Sequence, residues 1–226
     1  ITRGDARFPP RLRGRRRASS RRSPAAHVVA YRKTHVSKTT FESMGLNPAL
    51  LQALQSEGYA TPTPIQQQAI PAILAGRDLL GCAPTGSGKT AAYVLPLLQA
   101  WMLGDAGSRP GPRETQALVL VPTRELATQV AELLYFVGEA LGRRPKVAVL
   151  TGGVSINPQL LALRGGVDMV IATPRRLLDV VEHSKLRLKT IQTLVLDEAD
   201  RLMDLGFADE LNQVLALLPA QEQRQT

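Results

Sequence analysis

The sequence contains one cysteine, Cys82, among 226 residues. A single cysteine cannot form a disulfide within the chain, and it cannot supply the ligands of a cysteine-based metal site. Its apolar neighbours place it in a predicted buried strand, where a cysteine is typically a small core residue. The sequence also lacks any apolar run close to the roughly 20 residues that cross a bilayer, and it has no internal repeat. We therefore expect a soluble globular protein without a disulfide framework or a membrane-spanning helix.

The net charge of +9 is unevenly distributed along the chain. Residues 1–38 hold 12 of the 28 basic side chains and one of the 19 acidic ones, a net charge of +11. Residues 39–226 carry 16 basic and 18 acidic side chains, a net charge of −2. High charge without apolar periodicity predicts a disordered basic tail over 1–38 and one domain over 39–226. The tail could be an RNA-binding arm, an organelle-targeting segment or an extension without function.

Residues 83–90, Ala-Pro-Thr-Gly-Ser-Gly-Lys-Thr, lie between an apolar strand and a predicted helix. Gly86 and Gly88 permit a tight turn with several N–H groups pointing inward, and the helix adds its positive N-terminal end. Lys89 can reach the β- and γ-phosphates of a nucleotide, and the Thr90 hydroxyl can bind the accompanying magnesium. An ordinary glycine turn would not explain Lys-Thr directly after the glycines. The segment therefore predicts a phosphate-binding loop.

A second group of polar residues follows the apolar residues 194–196. Asp197 and Glu198 stand at the predicted carboxyl end of a strand, which is the edge of an open parallel sheet where ligands bind. Asp197 can hold magnesium through its water shell, and Glu198 can orient and deprotonate a water that attacks the γ-phosphate. The alternative is an acidic helix N-terminus that the helix dipole favours.

Apolar strands alternate with helical patterns along the whole domain, which predicts an α/β fold with a mostly parallel sheet and helices on both faces. The predicted strands are 79–82, 117–121, 147–150, 169–172 and 194–196, and the longest predicted helix covers about 124–141.

Gln66 follows two prolines at the start of a predicted helix. The prolines fix the backbone, and the side-chain amide offers one donor and one acceptor, a pair that suits the edge of adenine. The alternative is a solvated surface glutamine.

Together these residues resemble the DEAD-box family of ATP-dependent RNA helicases, in the first of its two RecA-like lobes. Residues 58–66 resemble the Q motif, 83–90 motif I and 197–200 motif II. The resemblance implies a RecA-like P-loop NTPase lobe that uses ATP and Mg²⁺, with Lys89, Asp197 and Glu198 in catalysis and with Thr90 and Asp197 at the metal. The implied nucleotide-binding residues are Phe41, Tyr59, Gln66, Thr85, Gly86, Ser87, Gly88, Lys89 and Thr90.

Three further elements resemble the segments with which this family grips the RNA sugar-phosphate backbone. They contain Thr123 and Arg124, Gly152 and Gly153, and Thr173 and Arg176. Backbone contacts carry no base information, so we expect RNA binding that is independent of sequence and sensitive to salt. Arg175 stands where the family usually has glycine, which implies either a looser approach of the RNA backbone or an additional phosphate contact.

The family's second lobe, with its arginine fingers, has no counterpart in the sequence, which ends about where the Ser-Ala-Thr motif would follow. The resemblance implies an RNA helicase in the complete protein and a monomeric isolated lobe with weak or no hydrolysis. The alternatives are a nucleotide- and RNA-binding fragment without useful catalysis, and a DNA helicase of the wider superfamily, which the Q motif disfavours. We expect a cytoplasmic location, with organelle import as the alternative. The ratio of 22 Arg to 6 Lys indicates a GC-rich genome, and the lobe resembles bacterial members most.

Overall fold

The structure is a computed structural model that describes residues 27–30, 39–104 and 112–226. Its strands are β1 (His27–Ala30), β2 (Leu79–Cys82), β3 (Ala117–Leu120), β4 (Val147–Leu150), β5 (Met169–Ala172) and β6 (Thr193–Leu196). Its helices are α1 (Pro48–Ser56), α2 (Pro64–Leu74), α3 (Lys89–Leu103), α4 (Arg124–Ala140), α5 (Asn157–Ala162), α6 (Pro174–His183), α7 (Ala199–Asp204) and α8 (Ala208–Leu217). Two short 3₁₀ turns cover Phe41–Met44 and Gln221–Gln223.

Four strands form a parallel sheet in the order β4-β5-β3-β6. Val119 of β3 lies opposite Ile171 of β5 on one side and Val195 of β6 on the other. Strand β2 pairs in parallel with β1 in a separate two-stranded sheet. The predicted α/β fold with a parallel sheet is therefore confirmed.

Helices cover both faces of the four-stranded sheet. Along β3, Ala117 and Val119 belong to an apolar cluster with residues of α1, α3 and α4. Leu118 and Leu120 point the other way, into a second cluster with residues of α6, α7 and α8. Because successive side chains of a strand alternate between faces, a strand covered on both sides needs an unbroken apolar run. This explains why the central strands could be recognised in the sequence.

The last two residues of the chain connect β2 to β6. The Leu79 N–H donates to the Thr226 carbonyl at 2.9 Å, and the Leu194 N–H donates to the Gln225 carbonyl at 2.8 Å. Beyond this point β2 and β6 border a cavity of about 740 Å³ that extends to residues 83–85. The prediction that Cys82 is a buried core residue is wrong, because β2 faces this cavity and the cysteine is exposed.

Strand β1 departs from the predicted disordered tail over 1–38. Residues 1–26 and 31–38 of that tail lie outside the described residues. His27–Ala30, however, pair in parallel with Leu79–Cys82. Two adjacent valines favour extended structure, and the edge of β2 supplies backbone hydrogen-bonding partners. Four residues are too short for a periodic signal, so the sequence alone did not indicate this strand.

Candidate functional site

The predicted phosphate loop joins the end of β2 to the start of α3. Gly86 has a φ of 75° and Gly88 a φ of 90°, conformations that other residues rarely adopt. A Cβ at Gly88 would also lie 2.6 Å from the Gln66 amide nitrogen. The Lys89 ammonium folds back onto the loop and donates to the Ala83 carbonyl. The loop thus forms a tight turn that is closed by a hydrogen bond from its lysine to its first residue.

Gln66 is buried and contacts the phosphate loop directly. Its amide oxygen accepts a hydrogen bond from the Thr63 N–H at 2.9 Å, and its amide nitrogen donates to the Gly88 carbonyl at 3.2 Å. The alternative of a solvated surface glutamine is therefore wrong. Both ends of the amide are engaged within the protein, and reading of adenine by Gln66 stays a prediction.

Two aromatic residues predicted to bind nucleotide contribute to the core. Phe41 is 3% exposed and belongs to the same apolar cluster as Met44 and Leu50. Tyr59 is partly buried against the same cluster. Neither residue lines the cavity beside the phosphate loop. Their contact with adenine stays a prediction.

Asp197 follows β6 as a buried carboxylate, 7% exposed. One of its oxygens, Oδ2, accepts a hydrogen bond from the Tyr93 hydroxyl at 2.8 Å, and Oδ1 accepts the Glu198 N–H at 2.9 Å. Burial raises the pKa of Asp197, and these two hydrogen bonds offset part of that rise. Burial and the nearby Asp197 charge raise the pKa of Tyr93 well above its usual value, so its phenol remains a donor at neutral pH.

Glu198 has a φ of 48°, and among the described residues it is the one non-glycine residue with a positive φ. Such a conformation costs about 1 to 3 kcal/mol and is concentrated at functional sites. The Glu198 carboxylate accepts a hydrogen bond from the Arg201 guanidinium at 2.7 Å. Asp197, Glu198, Lys89 and Thr85 line the same cavity, so the two predicted chemical segments meet there.

Two residues of this site escape prediction from the sequence. Tyr93 lies on the apolar helix α3, and its contact with Asp197 spans 104 positions, which no local pattern reveals. Arg201 lies three positions after Glu198, a spacing that brings side chains together on a helix and could have indicated the pair.

The predicted RNA-binding segments follow β3, β4 and β5 at their carboxyl ends. Thr123 caps α4, since its hydroxyl accepts the Leu126 N–H at 3.2 Å. The next residue, Arg124, has a side chain that is 54% exposed. Gly152 and Gly153 are exposed, and a Cβ added at either position would meet no atom within 4 Å.

Gln159 supports the glycine pair, and the sequence did not indicate it. Its amide nitrogen donates to the Thr151 carbonyl at 3.0 Å, and its amide oxygen accepts the Thr151 N–H at 3.1 Å. This buried two-point contact fixes the backbone directly before Gly152 and Gly153.

Arg176 connects α6 to the loop that contains the glycine pair. Its side chain is 13% exposed, donates to the Val154 carbonyl at 3.0 Å and lies 3.7 Å from the Asp179 carboxylate. One terminal nitrogen, Nη1, is buried without a hydrogen-bond partner. Arg175, by contrast, is exposed, and Thr173 is half-buried directly before α6. The structure thus brings the Arg176 side chain into direct contact with the loop that contains the glycine pair.

Residues 63–226 match the family described as DEAD/DEAH box helicase. The chain belongs to this family. Within this family, the chain is 47% identical over 189 residues to a protein named ATP-dependent rRNA helicase rrp3 from Aspergillus terreus. The aligned residues make up 82% of this chain and 40% of that relative. It is 44% identical to ATP-dependent RNA helicase dbp10 from Schizosaccharomyces pombe, over 82% of this chain and 21% of that relative. The chain therefore spans less than half the length of these curated relatives.

Two solved structures show the same fold as this DEAD/DEAH box helicase domain. A DEAD box protein from Methanococcus jannaschii is 33% identical with a TM-score of 0.70, over 82% of this chain and 48% of that one. The yeast DEAD-box splicing factor Prp28 is 34% identical with a TM-score of 0.72, over 82% and 45%. These likenesses confirm the predicted RecA-like fold. The two curated relatives are fungal and give no support to a bacterial type. Within the described residues, no helix is long and apolar enough to cross a bilayer.

Proposed function

We propose that this chain is the ATP-binding lobe of an ATP-dependent RNA helicase that grips the RNA backbone without sequence specificity. The observation that carries the proposal is the meeting of Lys89 with Asp197 and Glu198 at one cavity. A phosphate loop alone accounts for nucleotide binding. Two carboxylates beside it, one buried and one in a strained backbone conformation, supply groups that hydrolysis requires.

The phosphate loop supports binding of a polyphosphate. On binding, the Lys89 ammonium exchanges the Ala83 carbonyl for phosphate oxygens, which carry more negative charge. The Ser87 hydroxyl of the same loop is buried without a hydrogen-bond partner. Gly88 directly precedes α3, so the phosphate loop ends at the N–H groups of the positive N-terminal end of that helix, which favour an anion.

Two residues fit a magnesium ion that arrives with the nucleotide: Asp197, which lines the cavity, and Thr90, which directly follows the cavity-lining Lys89 in α3. The Thr90 hydroxyl and the Asp197 carboxylate are oxygen ligands of the kind that Mg²⁺ prefers. The described residues contain no group of three or more His, Cys, Asp or Glu that could hold a metal, which fits an ion that takes its other ligands from phosphate and water. When bound, the ion would neutralise phosphate charge.

Glu198 is the proposed general base. Its carboxylate orients a water toward the γ-phosphate and accepts a proton from it, while Lys89 holds the phosphate oxygens. The Arg201 guanidinium lies 2.7 Å from the same carboxylate, so it has to leave one carboxylate oxygen free for the water.

RNA binding is proposed for Thr123, Arg124, Gly152, Gly153, Thr173 and Arg176. The exposed Arg124 guanidinium and the open glycine pair support contact with phosphates and close approach of the RNA backbone. Preference for RNA over DNA follows from the family, and competition between the two for stimulation of the ATPase tests it.

Replacement of the base tests the catalytic part of the proposal. In a complete version of the protein that includes a second lobe, Glu198→Gln removes the proton acceptor and retains the side-chain shape, so we expect RNA-stimulated ATP hydrolysis to fall by about 100-fold or more, with nucleotide affinity nearly unchanged. Glu132→Gln, at an exposed position on α4, is the control. Undiminished turnover of Glu198→Gln would remove Glu198 from this role.

A second candidate function is nucleotide and RNA binding without useful hydrolysis. The Glu198–Arg201 ion pair favours it, because the guanidinium engages the carboxylate of the proposed base. We propose that the complete protein adds a second RecA-like lobe with arginine fingers, which are worth about 10³- to 10⁵-fold in turnover where they occur. ATPase assays of the chain alone and with such a lobe added distinguish the two functions, because a helicase lobe gains RNA-stimulated hydrolysis when the second lobe is added, whereas a chain that only binds does not.

A further inference from the structure

Tyr93 donates a hydrogen bond to one of the two protein groups that are proposed to hold magnesium, Asp197, and it shares helix α3 with the other, Thr90. It lies on α3 three positions after Thr90, one helical turn away on the same face. The Tyr93 hydroxyl donates to Asp197 Oδ2 at 2.8 Å. One phenol therefore connects the start of α3 to the end of β6.

Packing alone does not require this hydroxyl. A phenylalanine would fill nearly the same volume among the apolar residues against which Tyr93 packs. The phenol adds one polar atom, and that atom bonds a carboxylate that is 7% exposed. Because Oδ1 of Asp197 already accepts the Glu198 N–H at 2.9 Å, the Tyr93 bond on Oδ2 fixes the second oxygen and with it the rotation of the carboxylate.

We propose that Tyr93 is a positioning residue that holds the Asp197 carboxylate in a fixed orientation relative to Thr90, so that the magnesium-nucleotide complex binds to a preformed site. The inference rests on the proposed function. Hydrogen bonds to ligating carboxylates orient them, and their removal typically weakens metal affinity by about 10- to 100-fold. In this role Tyr93 acts through Asp197 and is not itself a ligand of the metal.

The test compares Tyr93→Phe with Tyr135→Phe in the full chain. Tyr135 on α4 is a matched control, because its hydroxyl also makes one partly buried hydrogen bond, to the Val147 carbonyl at 3.2 Å, and it does not line the cavity. A fluorescent ATP analogue reports affinity in EDTA and across a magnesium titration. For Tyr93→Phe we expect unchanged affinity for the analogue in EDTA. We also expect about a tenfold rise in the magnesium concentration that gives half of the full increase in that affinity. For Tyr135→Phe we expect wild-type values in both.

Each result has a distinct meaning. The inference is overturned if Tyr93→Phe depends on magnesium as the wild type does, or if it needs less magnesium than the wild type for the same increase in affinity. An equal loss of affinity in EDTA and in magnesium also overturns it, because a packing defect does not discriminate between the two conditions. If the wild-type chain binds the analogue without any effect of magnesium, the proposed function fails at the metal, independently of Tyr93.

Discussion

Gln66 joins two segments of the nucleotide site through one buried amide. Its oxygen satisfies the Thr63 N–H at the start of α2, and its nitrogen satisfies the Gly88 carbonyl in the phosphate loop. A buried polar group left without a partner costs about 1 to 3 kcal/mol. The side chain that is predicted to read adenine therefore also holds the phosphate loop against α2.

Gln66→Ala is expected to lower both stability and nucleotide selectivity. The loss of two hydrogen bonds should reduce the free energy of unfolding by about 1 to 3 kcal/mol, measured in denaturant. The preference for ATP over GTP, measured by competition against a labelled nucleotide, should fall toward unity. Gln67→Ala is the control, since Gln67 makes one bond, to the Pro62 carbonyl at 3.0 Å. Equal binding of ATP and GTP by the wild-type chain would contradict the adenine assignment.

Asp197 is expected to make the nucleotide-free chain less stable at neutral pH than an uncharged variant. Burial raises its pKa, so the folded state binds the proton more tightly than the unfolded state. The free energy of unfolding therefore falls as the pH rises from the ordinary pKa of a carboxyl group to the raised pKa of Asp197. Above the raised pKa the loss is complete. Thermal unfolding in EDTA should show Asp197→Asn to be more stable than wild type at pH 7, with the difference disappearing below about pH 4.

Asp204→Asn removes an exposed carboxylate at the end of α7 and controls for the change in net charge. If Asp197→Asn is no more stable than wild type at pH 7, the hydrogen bonds from Tyr93 and the Glu198 N–H outweigh the cost of burial.

Single residues differed in how far the sequence could predict them. Lys89 could be placed because it follows a glycine turn between a strand and a helix, and Asp197 because it follows an apolar run whose carboxyl end is a ligand edge. Gln159 and Tyr93 could not, since their partners are set by tertiary packing. Arg176 was predicted as a phosphate contact, and the structure adds that its guanidinium holds the Val154 carbonyl.

At the scale of elements, the strands that are buried along their whole length are among the ones that the sequence predicted accurately. Strands β3 and β5 are buried along their whole length, and their apolar runs predicted them with bounds within one residue. Strand β2 was predicted as buried, but Leu80 is 54% exposed because the strand borders the cavity beside β6. An apolar run indicates a strand and does not indicate whether both of its edges are paired.

The two ends of α4 allow a matched test of RNA binding. Arg124 opens the helix at the predicted ligand edge, whereas Arg144 follows it near the amino end of β4, and their side chains are 54% and 55% exposed. Arg124→Ala should weaken binding to single-stranded RNA about equally for different sequences and reduce the salt slope of log K by about 0.7. Arg144→Ala should change neither quantity. Fluorescence anisotropy across a salt series measures both, and equal effects of the two substitutions would contradict the assignment of this edge.

At the scale of the whole molecule, the positive charge lies in the N-terminal tail and not in the domain, so the two parts are expected to affect RNA binding differently. Residues 39–226 carry a net charge of −2, so their proposed RNA binding depends on a few placed groups. Residues 1–26 contain nine arginines and one acidic residue, Asp5. A cluster of this kind binds polyanions through release of counterions, without reading sequence. The same cluster could also contribute nothing to RNA binding, as an extension without function would.

Removal of residues 1–26 distinguishes these possibilities and leaves β1 in place. If the tail is an RNA-binding arm, the truncated chain should bind RNA more weakly at low salt, with a salt slope smaller by more than one, and the two chains should converge at high salt. Thermal unfolding should be unchanged, because the pairing of His27–Ala30 with β2 is retained. A second truncation, lacking 1–38, also removes β1 and should lower the unfolding temperature. Identical RNA affinity of the full chain and the first truncation at every salt concentration would show that the basic tail is not an RNA-binding arm.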